Sequence, residues 1–80
     1  MPKVWEQNGF KFYVYFDDHT PSHVHVKKAG QEVVLYLGDE NTKPSIRELR
    51  GMEDVEAVRA LKIACKKREL LLREWSEVHD

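Results

Sequence analysis

The sequence predicts an α+β domain, a four- or five-stranded antiparallel β-meander packed on one long C-terminal helix. Two turn signals and one change of period predict it. Asn8-Gly9 and Ala29-Gly30 each separate runs of alternating polarity, and from about Glu53 the apolar spacing changes from two to three and four.

Asn8 and Gly9 both tolerate the positive φ of a two-residue hairpin turn. That turn sets Gln7 opposite Phe10, Glu6 opposite Lys11, Trp5 opposite Phe12 and Val4 opposite Tyr13, with a Glu6–Lys11 ion pair. In "FKFYVYF", residues 10 to 16, Phe10, Phe12, Val14 and Phe16 alternate with Lys11, Tyr13 and Tyr15. The Phe side is expected inward, because a Tyr hydroxyl wants a partner or water.

"HVHVKK" places Val24 and Val26 inward and His23, His25 and Lys27 outward. A two-residue Ala29-Gly30 turn then sets Lys27 opposite Glu32, Val26 opposite Val33, His25 opposite Val34, Val24 opposite Leu35 and His23 opposite Tyr36. The register checks itself: Val24, Val26, Val33 and Leu35 share one face, while Lys27 and Glu32 pair on the other. "GDENTK" is a polar loop. "PSIREL" fits a helix start, through Ser45 and Glu48 as a capping box, or a short edge strand. The strand is the better fit, since Gly51 would interrupt a helix begun at Ser45.

From Glu53 to Val78 the apolar row is Val55, Val58, Leu61, Cys65, Leu72 and Trp75, widened by Ala57, Ala60, Ala64, Leu71 and Val78. No Pro or Gly follows Gly51, so one unbroken helix is expected. Trp75 and Leu72 should meet the sheet near Phe12 and Val14. The apolar stripe is wider than one sheet contact needs, which calls for cover by a second copy or another chain.

Eighty residues make one domain, residues 1 to 80. Apolar residues are 41 % and charged residues 34 %, so the chain is of the folded rather than the disordered class. The net charge of −1 speaks against non-specific nucleic-acid binding by the whole surface but leaves room for a local basic patch. No apolar run approaches the roughly 20 residues that span a bilayer, and the opening residues lack a signal-peptide core. The expectation is a cytoplasmic protein that does not enter membranes. Cys65 is alone, which excludes an internal disulfide and a Cys-based zinc cage, and its apolar neighbours predict burial.

Chemistry concentrates in "DDHTPSHVHVKK", which carries His19, His23 and His25 within seven positions. If Phe16 faces Val24, then Tyr15 lies across from His25 and Tyr13 across from Lys27. One sheet face then carries Tyr13, Tyr15, His23, His25, Lys27 and Tyr36, with His19 on the adjoining loop held by Pro21. Three readings fit. The residues can be a solvated face whose rings pack flat. His19, His23 and His25, with Asp17 or Asp18, can be metal donors, although H-x3-H-x-H lacks the second ligand pair of a zinc signature. Or the face can bind or cleave RNA, with Tyr13 and Tyr15 stacking bases, Lys27 and His19 meeting phosphate, and His23, His25 and Tyr36 moving protons. Lys27 opposes a cation and no carboxylate is fixed beside the His pair. No bound metal or other cofactor is therefore expected.

"GFKFYVYFDDHTPSHVHV", "VVLYL" and the terminal "LLLREWSEVH" resemble the small bacterial domain-of-unknown-function family DUF4160. His19, Pro21, His23, Val24, His25, Val26 and Trp75 carry the resemblance, which spans nearly the whole chain. The resemblance implies a gene pair of toxin–antitoxin type, in which the partner is the product of an adjacent small gene. It implies no settled activity, so both a toxin-like protein acting on RNA and a non-catalytic metal- or protein-binding module are carried forward.

Overall fold

The computed structural model describes residues 3–79. The Met1-Pro2 start of the segment read against a signal peptide lies outside them. Five strands, β1 Lys3–Gln7, β2 Phe10–Tyr13, β3 His23–Lys28, β4 Gln31–Tyr36 and β5 Ser45–Arg50, form one antiparallel sheet in chain order. Two helices follow, α1 Asp54–Lys66 and α2 Arg68–His79. The segment "PSIREL" forms an edge strand, shifted by one residue to Ser45–Arg50.

Both turns form as their residues dictate. Asn8 and Gly9 have φ of 53° and 83°, and Ala29 and Gly30 have φ of 52° and 80°. The β3–β4 register matches the expected one at every pair from His23↔Tyr36 to Lys28↔Gln31. The first hairpin departs at its far end, where a bulge between Lys3 and Trp5 sets Lys3, not Val4, opposite Tyr13. The expected Glu6–Lys11 pair also gives way, because Glu6 takes the Lys3 ammonium at 2.7 Å.

The β2–β3 register is two residues from the expected one. Tyr13, not Tyr15, faces His25, and Lys11 faces Lys27. A shift of two keeps every side chain on its face, so the core survives the error. What changes is the end of β2. The chain turns at Phe16 and Asp17, where the Asp18 amide donates to the Tyr15 carbonyl (3.1 Å) and the Tyr15 amide to Asp18 Oδ2 (3.1 Å). Phe16 lies outside the core, 84 % exposed.

The expected single helix is two. A straight helix from Asp54 to His79 would run about 39 Å, longer than the 32 Å greatest extent of the molecule. Lys67 ends α1 with φ −105° and ψ 18°, its amide donating to the Ile63 carbonyl (2.9 Å). This break lets α1 lie along β4 and β5 while α2 turns back toward β1. The buried row also differs from the expected one. Ala57, Ala60, Ile63, Ala64, Leu71 and Trp75 are buried, whereas Val55 and Val58 are exposed. Cys65 is exposed, contrary to its expected burial. The buried sheet face supplies Phe10, Phe12, Val24, Val26, Val33 and Leu35, with Val14 and Leu37 just beyond the strand ends.

Lys28 ties the end of β3 to the first turn of α1 through Glu56, at 2.7 Å. That hydrogen bond holds the Glu56 carboxyl below its ordinary value of 4.5. A carboxyl lowered on folding adds stability above its unfolded value, and the gain is lost as pH falls through the folded one. Thermal melts taken from neutral pH down past 4.5 should therefore show a smaller acid loss for Glu56→Gln than for the wild type. Equal acid losses would show that this pair does not couple folding to pH.

Candidate functional site

On the sheet face away from the Val cluster, β3 aims His23 and His25 the same way, since strand side chains two apart share a face. Neither is solvated: His23 is 3 % exposed and His25 is 9 % exposed. His23 was expected to point away from the helix. Its ring lies 5.1 Å from that of Trp75 in α2. His25 meets Tyr15 edge-on at 4.8 Å and His23 at 5.3 Å.

Two carboxylates flank the pair, contrary to the expectation of none. Asp18 Oδ1 is 3.2 Å from His25 Nε2 and 3.5 Å from His23 Nε2. Glu32 Oε2 is 3.0 Å from His25 Nδ1 and also accepts from Arg50 Nη1 at 3.1 Å. Arg50 in turn donates to Glu48 at 2.9 Å. His23 Nδ1–H donates to the Pro21 carbonyl at 2.9 Å. Burial pushes the Asp18 carboxyl up. The Tyr15 amide, His25 and His23 outweigh that push and leave it below the ordinary aspartate value.

Glu32 thus serves His25 and Arg50 rather than Lys27. The Lys27 ammonium lies over Tyr13 (5.2 Å) and Tyr15 (5.8 Å), whose rings stack at 5.9 Å. The Tyr15 hydroxyl holds the Lys27 ammonium above the ordinary lysine value. Tyr36 stands opposite His23, with the Arg47 guanidinium 5.7 Å over its ring. A cavity of about 270 Å³ brings Asp18, His19, His23, His25 and Tyr36 together under Arg47 and Arg50. Tyr13, Tyr15 and Lys27 lie outside its lining, so the seven residues picked from the sequence divide into a cavity group and a neighbouring aromatic group. His19 lines the cavity but lies outside the donor cluster of Asp18, His23 and His25.

Residues 9–76 match the family described as Domain of unknown function (DUF4160). The chain belongs to this family. No curated protein and no solved structure matches it. In this DUF4160 chain the histidine pair was readable from its spacing. Arg47 and Arg50 were not, because a bulge between Val34 and Leu35 resets β5. His79 also escaped notice. Its ring bridges the Trp75 carbonyl (2.7 Å) and the Asp18 carbonyl (2.9 Å), tying the end of α2 to the loop that carries Asp18. Among the described residues no helix is long and apolar enough to cross a membrane.

Proposed function

We propose that this protein is the toxin-like half of a bacterial two-gene module, working in the cytoplasm on RNA through this cavity and the aromatic strip beside it. One observation supports the reading: the groups that recognise a polynucleotide converge on one face with a buried imidazole–carboxylate cluster. Guanidinium groups suit phosphate, and stacked tyrosines suit unpaired bases. Arg47 supplies the first, and Tyr13 and Tyr15 the second. His23, His25 and Asp18 line the cavity with Tyr36 and His19, and on this reading they act on a phosphodiester.

Expressed without its gene neighbour, the wild type should arrest growth, and the purified protein should cleave RNA. The His23→Ala plus His25→Ala variant should lose both effects. Because those side chains are buried, the exposed Arg47→Ala gives a second reading that leaves the core intact. Absence of arrest and of RNA cleavage by folded wild-type protein would overturn the proposal.

A non-catalytic module that binds a protein partner is the second reading. It is favoured by four exposed apolar side chains on two elements in contact, Ile46 and Leu49 of β5 and Val55 and Val58 of α1. Such side chains suit the adjacent gene's product or a second copy of the chain. Stable co-purification with the neighbour, without growth arrest, would favour it.

A further inference from the structure

We infer that Asp18, His23 and His25 form a site for a first-row divalent transition ion of the zinc type, bound by two imidazole nitrogens and one carboxylate oxygen. The site deepens the RNA reading by supplying its cavity with a Lewis acid, yet it stands whether or not RNA is the substrate.

The three donor atoms lie within 4.8 Å of one another. Asp18 Oδ1 is 3.5 Å from one Nε2 and 3.2 Å from the other. A tetrahedral ion with bonds of about 2.0–2.1 Å holds its donors roughly 3.3 Å apart. Both oxygen–nitrogen spacings are therefore already close to those of a ligand set.

Orientation adds a second, independent argument. A metal-bound histidine ordinarily donates its other ring N–H to a carboxylate or carbonyl, which fixes the tautomer. Here His25 Nδ1 has Glu32 and His23 Nδ1 has the Pro21 carbonyl. With each Nδ1 so engaged, each ring turns its Nε2 toward the same oxygen, Asp18 Oδ1. One divalent ion satisfies both nitrogens and the oxygen together.

The surroundings permit it. Lys27 is held over the tyrosines, and Arg50 is engaged by Glu32 and Glu48, so neither aims a charge at the cluster. Trp75 and Tyr15 pack against the two imidazoles. Three protein donors beside a cavity leave a coordination position for water or a phosphate oxygen, as in catalytic rather than structural zinc sites.

The test uses the full chain, stripped with a chelator and titrated calorimetrically with Zn²⁺, with Co²⁺ absorption as a second readout. One ion per chain should bind. Asp18→Asn should weaken binding by more than about 100-fold, and Glu32→Gln, acting through His25, by about 10–100-fold. His19→Ala should bind as the wild type does. Circular dichroism confirms that each variant is folded. No stoichiometric binding by the folded wild type, wild-type affinity in Asp18→Asn, or an equal loss in His19→Ala would each overturn the site. Binding without growth arrest counts against the RNA reading alone, and arrest without binding counts against the metal site alone.

Discussion

Replacing Trp75 by alanine is expected to cost about 3–5 kcal/mol, the range for deleting a large buried aromatic. The indole is 8 % exposed and belongs to the same core cluster as Phe12 and Val14. Its ring also meets those of His23 at 5.1 Å and His79 at 4.0 Å, tilted against both. An 80-residue domain commands only about 4–12 kcal/mol in total. The variant should therefore be partly unfolded at moderate temperature, with its urea midpoint sharply lowered and its slope unchanged. A near-wild-type midpoint would mean that α2 does not hold the sheet. The loss should reach the cavity as well, since Trp75 and His79 together anchor the Asp18 loop.

Phe12→Ala is expected to cost a similar 3–5 kcal/mol, and Phe16→Ala less than about 0.5 kcal/mol. The two residues belong to one alternating run and read alike in the sequence. Phe12 is fully buried, between Trp5 and Val26 in the neighbouring strands. Phe16 projects into solvent from the turn closed by Tyr15 and Asp18. Paired denaturant melts compare them directly. A large loss on Phe16→Ala would mean that β2 continues to residue 16 and that the Asp18 turn is misplaced.

The contrast explains what was legible. Period-two patterning and positive-φ turn residues are local, so the β3–β4 register could be read residue by residue, and with it the common facing of His23, His25 and Tyr36. The end of β2 could not, because a polar turn side chain decides it. Asp18 caps the Tyr15 amide, and nothing in "VYFDDH" separates that Asp from its neighbour Asp17. The helix break at Lys67 has no Pro or Gly to announce it. It follows from fitting two helical segments over a short sheet, which is a tertiary constraint. The same limit hid both carboxylates at the histidines. Glu32 was placed opposite Lys27 correctly, but that pairing does not reveal that Lys27 leans onto two tyrosines and leaves Glu32 to His25.

The order of the strands in space is their order in the chain. This bears on how fast the molecule assembles. Sheets built from adjacent hairpins close short loops, and low contact order favours rapid folding. Isolated hairpins form in about 1–10 μs. His23, His25, Glu32 and Tyr36 all lie on one such hairpin and can be brought together within it. Asp18 differs: the tie between its carbonyl and His79 spans 61 positions. Its final restraint waits for α2 to dock, so the cavity has a floor laid down early and a wall added late.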